Sequence, residues 1–279
     1  MSFNKRILSA GAAPFVASEN FKAVTYTGNW NGSNTNVVEV GFQPDWVWIK
    51  DRSNSDNHRA YDTSRPGTNN YPKGLYPNLS NSEFDGGHIS IQTTGFTLLS
   101  DNNNLSGRTY IAWCWKANGG TTSSNTDGTI TSTVQVNADA GFSIVTYTGA
   151  GGVDTVGHGL SAQPELMFIK NRGRAVTGAA YATGINQAGY LFITTYGTDA
   201  FAASRNDWLN NDTPPTSSLF TVRSYDGAGN DTQDYVGNYT SDTYVAYLYH
   251  SVEGFSKIGS YTGNGSANGP IVETGFEPA

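Results

Sequence analysis

The feature that most constrains the fold is an internal repeat. The segment FKAVTYTGNW at 21–30 returns as FSIVTYTGAG at 142–151 and again as FSKIGSYTGNG at 255–265. Three further blocks recur in the same order, namely GFQPDWVWIKDR at 41–52 with LSAQPELMFIKNR at 160–172, GFTLL at 95–99 with LFTVR at 219–223, and TYIAWCWKA at 109–117 with TYVAYLYHS at 243–251. Recurrence of this kind indicates repeated structural units. The sequence therefore predicts two complete modules and the start of a third.

Each repeated block has the composition of a β-strand. The blocks are rich in Val, Ile, Tyr, Trp, Phe and Thr, and Gly, Asn, Asp or Pro residues bound them. Residues 46–49 and 111–115 are apolar throughout, which is typical of central strands that are covered on both sides or that offer one face to a partner. No 11-residue window has a convincing helical period with capping residues. These patterns predict an all-β protein of tandem β-sandwich modules.

The repeat spacing divides the chain into five parts. They are a leader at 1–20, β-sandwich module 1 at 21–118, a linker at 119–140, β-sandwich module 2 at 141–252, and the start of a truncated third module at 253–279. Within the linker, 130–136 alternates in polarity and fits an extra strand. Because the two links differ and the second is tight, we expect an extended rod rather than one globule. We also expect that 279 is not a natural end, since the last part is too short to close a sandwich.

Composition excludes several classes of protein. Of the 279 residues 14% are charged and 13% aromatic, the formal net charge is −7, and there is one cysteine. The chain has no run of about 20 apolar residues, so we expect no membrane insertion. An acidic chain lacks the basic surface that nucleic-acid binding needs. The single cysteine, Cys114, forms no internal disulfide and lies mid-strand, where a small hydrophobic residue rather than a nucleophile is expected.

The leader has no secretion signal, because Lys5 and Arg6 are followed by only two apolar residues before Ser9. We therefore expect the protein to be made in the cytosol. Two interpretations of the leader stay open, a tail without structure and a docking peptide that becomes ordered on a partner. The docking interpretation places the contact on a short basic and apolar stretch that consists of Phe3, Asn4, Lys5, Arg6, Ile7 and Leu8.

Catalytic motifs are absent from the sequence. It contains no HExxH, GxSxG, P-loop or dinucleotide-binding glycine motif, and its four histidines are scattered. Glu83 with Asp85 offers two carboxylates of the type that glycoside hydrolysis uses, but module 2 has no equivalent pair. Asp45 and Glu165 correspond in the repeat and begin a strand, so we expect structural roles for them. We predict a protein that is not an enzyme and that needs no cofactor.

Two candidate binding features lie where the modules differ, since variable loops carry recognition. The longer hairpin of module 2 holds Asp226, Asp231 and Asp234, whose oxygens suit calcium, although a solvated turn is the alternative because the spacing matches no calcium loop. Aromatic side chains in the divergent segments are candidates for stacking on sugar rings, with burial in a core or interface as the alternative. These aromatic residues are Trp30, Tyr71, Tyr76 and Trp208.

The blocks GFQPDWVWIKDRS, GFTLLSDNNNLSGRTYIAWCWKA and TDGTITSTVQVNADAGFSIVTYTG closely resemble tandem modules in virion proteins of tailed bacteriophages. The opening MSFNKRILSAGAA is similar to the amino termini of the fibres among these proteins. The resemblance covers nearly the whole chain. It implies β-sandwiches of jelly-roll, lectin-like character and transfers no catalytic residue.

The resemblance also implies a function, that of a tail fibre in the virion after assembly in the host cytoplasm. Its leader would dock on a tail, portal or capsid protein, and its modules would project toward a host-surface glycan. A homotrimer is the usual arrangement of such fibres. The alternatives are a capsid decoration or head fibre protein and a glycan-degrading depolymerase.

Overall fold

Strands dominate the computed structural model, which describes residues 15–176, 178–182, 214–224 and 237–278. The first half contributes β1 (Phe21–Thr27), β2 (Asn36–Glu39), β3 (Trp46–Asp51), β4 (Arg59–Pro66), β5 (Pro72–Leu75), β6 (Ile89–Gln92), β7 (Gly95–Leu98) and β8 (Thr109–Trp115). The second contributes β9 (Ser123–Asn125), β10 (Ser132–Asn137), β11 (Phe142–Thr148), β12 (Val153–Gly157), β13 (Leu166–Asn171), β14 (Ala179–Ala182), β15 (Leu219–Arg223) and β16 (Thr243–Tyr249). Helix in the described residues is limited to 3₁₀ turns at Ala17–Glu19 and Thr68–Asn70. The predicted all-β class is confirmed.

The first eight strands form two antiparallel sheets with a core between them. The larger sheet has the order β1-β8-β3-β4-β5 and the smaller has the order β2-β7-β6. Because successive side chains of a strand point to opposite faces, Tyr110, Ala112 and Cys114 of β8 all enter this core. Ile49 of the large sheet and Phe96 of the small sheet meet them there. Module 1 is thus sandwich-like.

The second set of strands repeats this arrangement. A six-stranded sheet of order β14-β13-β16-β11-β10-β9 lies against the two-stranded sheet β12-β15, and a second apolar core fills the space between them. The strand register repeats as well. Tyr26 pairs with Tyr110 and Tyr147 with Tyr244, and both pairs of rings stack with their centroids 5.1 Å apart. The sequence repeat is therefore a repeat of strand pairing.

Part of the segment between the modules belongs to the second sheet. Strand β10, Ser132–Asn137, pairs with β11 on one side and with β9 on the other. The sequence pattern placed an extra strand at 130–136 inside a linker. The pattern is strand-like because Val134 is buried at 5% exposure while Thr133 faces solvent. The segment thus supplies an edge to module 2.

The two large sheets pack face to face through a third apolar core. In β3, Val47 and Ile49 face the core of module 1, whereas Trp46 and Trp48 point to the opposite side. There the ring of Trp46 stacks on Tyr247 of module 2, with centroids 4.3 Å apart. The apolar strands are covered on both faces, and the second cover is the other module of the same chain. We call this contact between the five-stranded and six-stranded sheets the module junction.

The extended rod predicted from the links is not what this pair of modules shows. The modules lie side by side because each large sheet has an apolar outer face. Leaving Trp46, Phe142 and Tyr247 in water would forgo roughly 25 cal/mol for every Å² of apolar surface that the junction buries. The lengths of the links carry no information about this surface, whereas the outer-face side chains do.

The third copy of the repeat forms no strand in residues 253–278. An isolated bridge between Val252 and Ser256 is its only sheet-like pairing. Tyr261, which corresponds to the buried Tyr147 of module 2, is 70% exposed. We call residues 255–278 the strap, because its two ends lie over one edge of the module junction. No helix in the described part of the chain is long and apolar enough to cross a membrane.

Candidate functional site at the module junction

An ionic cluster centred on Glu83 joins the two modules. The Glu83 carboxylate accepts hydrogen bonds from Arg65 at 3.0 Å and Lys73 at 3.1 Å within module 1, and from Arg172 of module 2 at 2.9 Å. The backbone N–H of Glu83 also donates to the carbonyl oxygen of Arg172 at 2.8 Å. One carboxylate therefore bridges cations from both modules.

The guanidinium of Arg65 extends this cluster into the junction. Arg65 lies on β4 and is 1% exposed, so its charge needs internal partners. Its Nε donates to Asp62 at 2.7 Å, and the Tyr247 hydroxyl of module 2 donates to the same carboxylate at 2.6 Å. Burial disfavours the charge on Arg65, but Asp62, Tyr247 and Glu83 more than offset this, so its pKa lies above the ordinary value. The buried cation thus has hydrogen-bond acceptors from both modules.

The environment of Glu83 opposes the role of a general acid. Burial acts to raise its pKa, but the hydrogen bond from Arg172 and the charges of Arg65 and Arg172 outweigh it and lower the pKa to about 2. A general acid in glycoside hydrolysis needs a raised pKa. Its candidate partner, Asp85, is engaged separately and accepts hydrogen bonds from the backbone and side chain of Thr68. The pair singled out in the sequence is thus used for structure.

Asp45 anchors the turn that leaves module 1. Its carboxylate accepts backbone N–H groups from Ala117 at 2.7 Å, Gly119 at 2.9 Å and Gly120 at 2.7 Å, and the Thr63 hydroxyl at 2.9 Å. Gly119 and Gly120 have φ of +60° and +79°, a conformation that glycine adopts without strain. Two successive residues of this kind turn their N–H groups toward one anion. The arrangement fixes the path of the chain between the modules.

An aromatic cavity opens at one edge of the junction and has a volume of about 380 Å³. Module 1 contributes Trp46, Trp48 and Trp115 to its wall, and module 2 contributes Phe168 and Tyr249. The two ends of the strap complete the wall, through residues 255–258 at one end and through Phe276 and Pro278 at the other. This cavity is the candidate binding site of the described structure, because pockets for small molecules are concave, mostly apolar and often placed between domains.

Three of the aromatic residues predicted to contact glycans, Trp30, Tyr71 and Tyr76, lie outside the wall of this cavity. Trp30 is half-buried and forms a bridge with Leu105, whereas the ring of Tyr76 packs against Phe84 at 4.9 Å. Tyr71 is also half-buried and lies beside Gly86, which follows Phe84 by two residues in the chain. Tyr76 therefore has a packing role, which was the alternative interpretation.

Several predicted site residues fall outside the described part of the chain. They are the leader residues Phe3, Asn4, Lys5, Arg6, Ile7 and Leu8, the aromatic Trp208, and the calcium candidates Asp226, Asp231 and Asp234. Among the residues that are described, no three His, Cys, Asp or Glu side chains group as metal ligands. Cys114 lies in the module 1 core at 0% exposure, and burial raises the pKa of its thiol to about 12.

The residues of the junction were missed at the sequence level for a physical reason. Glu83 and Arg172 are 89 positions apart, and nothing in either local pattern indicates their pairing. A weak signal is present in the Asp62–Arg65 spacing, because charges are scarce in this chain and these two lie inside a strand of which every residue but Pro66 is half-buried or buried. Two charges within such a strand predict an internal ion pair.

A model of a protein family described as "Domain of unknown function (DUF7483)" matches residues 16–279. The match includes both modules and the strap. No curated protein and no solved structure matches the chain.

Proposed function

The chain belongs to the DUF7483 family of unknown function, and we propose that it is a bacteriophage tail fibre protein that acts without enzymatic activity. In this proposal the leader at 1–20 docks on a tail, portal or capsid protein. The jelly-roll, lectin-like modules project from the virion toward the host surface. Attachment arises from many weak contacts with surface glycans, multiplied by copy number.

The observation that best supports a structural role is the module junction itself. A fibre has to hold its modules in a fixed relation while the particle contacts a cell. Here the apolar stack of Trp46 on Tyr247 and the bridge from Glu83 to Arg172 both cross the junction. A hinge between the modules would have to break both sets of contacts, so the pair is suited to bearing load.

The use of the carboxylates supports a non-enzymatic role. Glu83 is neutralised by Arg65, Lys73 and Arg172, and the Asp45 carboxylate is bound by three backbone N–H groups. A depolymerase needs carboxylates that are free to donate a proton or to attack the sugar. Within the described residues, the candidates that the sequence offered are committed to other contacts.

The proposal includes assembly with other virion proteins and with itself, as a homotrimer. Support for this part is the resemblance of the repeated blocks to fibre modules and the short basic and apolar leader. Cross-linking of purified protein tests the trimer. A monomer at concentrations well above those in a particle would contradict that part.

Imaging of intact particles tests the function. Particles that carry a label inserted after residue 265, in the exposed strap, are expected to show density on tail appendages. Label on the capsid would instead identify a capsid decoration or head fibre protein, and absence of the protein from particles would overturn the proposal.

Two further experiments test the leader and the depolymerase alternative. Removal of residues 1–20 is expected to abolish incorporation of the protein into particles. Release of sugar from host polysaccharide by the purified protein would establish the depolymerase alternative.

A further inference from the structure

Strand β1 forms an open edge of module 1. It stands first in the sheet order β1-β8-β3-β4-β5, so among the described strands it pairs with β8 alone. The carbonyl oxygen of Asn20 accepts from the N–H of Lys116, and the N–H of Gly28 donates to the carbonyl oxygen of Arg108. Because hydrogen bonding alternates along an antiparallel strand, the backbone groups of the odd-numbered residues of β1 point away from β8.

Most of these outward groups have no partner within the described residues. The carbonyl oxygen of Thr27 accepts from the side chain of Asn36 at 3.0 Å. The N–H and C=O groups of Ala23 and Thr25 form no hydrogen bond in the described part of the chain. Unpaired backbone groups along an edge strand are a template for a further strand.

β1 also lacks the features that keep edge strands from pairing, which are proline, bulges and charges that project across the edge. It contains no proline, and its register with β8 runs without a bulge from Phe21 to Thr27. Its one charged residue is Lys22, whose ammonium group donates to the carbonyl oxygen of Val40 at 3.0 Å within module 1. The edge is therefore available for pairing.

The equivalent edge of module 2 is occupied. Strand β11, which corresponds to β1 in the repeat, pairs with β16 on one side and with β10 on the other. Val145 and Tyr147 of β11 are 0% and 5% exposed. The corresponding residues of β1, Val24 and Tyr26, are only half-buried. The repeat thus shows what an added strand covers.

The described chain ahead of β1 does not take the place of β10. The turn that joins β10 to β11 recurs there, since the N–H of Asn20 donates to the carbonyl oxygen of Ala17 at 3.0 Å, as the corresponding groups do in module 2. Before this turn, Phe15 aligns with Val136 of β10. Its ring packs on Phe255 of the strap, with centroids 5.1 Å apart, and it is not part of the module 1 core.

The leader sequence is also a poor match to this edge. Pro14 aligns with Gln135, which pairs with Ile144 at a position where the alternation turns its N–H toward β11. Proline has no N–H, so the leader lacks a donor at the centre of the strand, opposite Ala23. A strand from outside the chain suits this edge better.

Strand β10 defines the kind of segment that fits. Its inner face carries Val134 and Val136, which pack with the core of module 2. Because alternate side chains of a strand share a face, a fitting segment has β-branched apolar residues at two alternate positions. The residue between or beside them can be polar, as the exposed Thr133 is.

We propose that the outer edge of β1 accepts an antiparallel strand of this kind from the virion protein on which the leader docks. The identity of this partner rests on the proposed function, since β1 directly follows the leader in the chain. The open edge does not rest on it. Strand addition gives module 1 the cover that β10 gives module 2.

A synthetic peptide of residues 128–138, which contains β10, is the probe for the full chain. Hydrogen exchange measured by NMR should show new protection at the amides of Ala23 and Thr25, and none at those of Val24 and Tyr26, which already bond to β8. Lost protection in β10 would mean that the peptide replaces the resident strand, and would overturn the proposal. Absence of binding at about 1 mM peptide would also overturn it.

Two methylated peptides test the hydrogen bonds. Methylation of the amide nitrogen of Gln135, which faces β1 in this pairing, is expected to weaken binding at least roughly tenfold, because a ladder bond is lost and close approach is blocked. Methylation of the amide nitrogen of Val136, which faces away, is the matched control and should change affinity by less than about threefold. Equal effects would show that the peptide does not bind as an added strand.

Substitutions in the peptide test the side chains. Val134→Ser with Val136→Ser is expected to weaken binding roughly tenfold or more, because the core of module 1 loses apolar cover. Thr131→Ser with Thr133→Ser is the control and should stay within about twofold, since these residues are exposed in module 2. Equal weakening by both pairs would contradict the proposed pattern of the partner strand.

Photo-cross-linking in intact particles tests the partner. A benzophenone amino acid in place of Thr25 is expected to cross-link to another virion protein, whereas one in place of Thr93, on the exposed turn between β6 and β7, is not. No cross-link from position 25, or one to a second copy of this chain, would overturn the assignment of the partner. Absence of the protein from particles would contradict the proposed function and this partner with it, while peptide binding would still establish the open edge.

Discussion

Glu83 has a larger effect on the fold than its position in an irregular segment suggests. It holds Arg65, Lys73 and Arg172, and only Arg172 comes from module 2. Its side chain is 12% exposed, which places these ion pairs among those that are mostly shielded from water. Removing one partner of such a pair leaves the other charge poorly solvated. Single substitutions in this cluster therefore measure how much the ion pairs of the junction contribute to stability.

Glu83→Ala is expected to lower the free energy of unfolding by about 3 kcal/mol, at the low end of the range for breaking a buried pair. Chemical denaturation followed by tryptophan fluorescence measures this change. Glu39→Ala is the control, because Glu39 is exposed on β2 and should change stability by less than about 0.5 kcal/mol. Equal effects of the two substitutions would show that the Glu83 cluster contributes nothing.

Glu83 also gives stability a defined dependence on pH. Its pKa is lowered from 4.5 to about 2 in the folded protein, so between these values the unfolded chain binds more protons. Stability from this group is complete above about pH 4.5 and is lost as the pH falls toward 2. Thermal unfolding from pH 6 to pH 2 should show this fall, and Glu83→Gln should flatten it. An equally steep fall in Glu83→Gln would assign the acid sensitivity to other carboxylates.

At the scale of elements, Asp45 and the glycine turn determine how the chain leaves module 1. Asp45→Ala removes the acceptor of three backbone N–H groups and is expected to cost about 3 kcal/mol, since hydrogen bonds to charged groups contribute roughly 1.5–3 kcal/mol each and water replaces some of them. Hydrogen exchange should show lost protection at Gly119 and Gly120. Asp139→Ala, on an exposed turn, is the control and should leave this protection unchanged.

Most strands could be predicted from the sequence, but the residues that pack against their outer faces could not. Trp46 to Ile49 are apolar without alternation, which correctly indicates a strand covered on both faces. The same pattern fits a cover from another chain or from another module, and only the structure identifies Tyr247 and Phe142. Local periodicity reports that a face is buried but not what buries it. For the same reason the wall of the cavity, drawn from both modules and the strap, had no signature in the sequence.

At the scale of the whole molecule, the central claim is that two repeats form one folded unit through their outer sheet faces. The described residues of this unit form three apolar cores, of which the middle one belongs to both modules. Neither module can unfold without exposing Trp46 or Tyr247 and separating Glu83 from Arg172. Cooperative unfolding of the pair follows from these shared contacts.

Differential scanning calorimetry of the full chain tests this claim most directly. One transition is expected, with a calorimetric enthalpy equal to the van't Hoff enthalpy, because a single cooperative unit unfolds. Glu83→Ala should shift that transition to lower temperature without splitting it. Two transitions in the unmodified protein, or a calorimetric enthalpy about twice the van't Hoff value, would show that the modules unfold independently and would contradict the account.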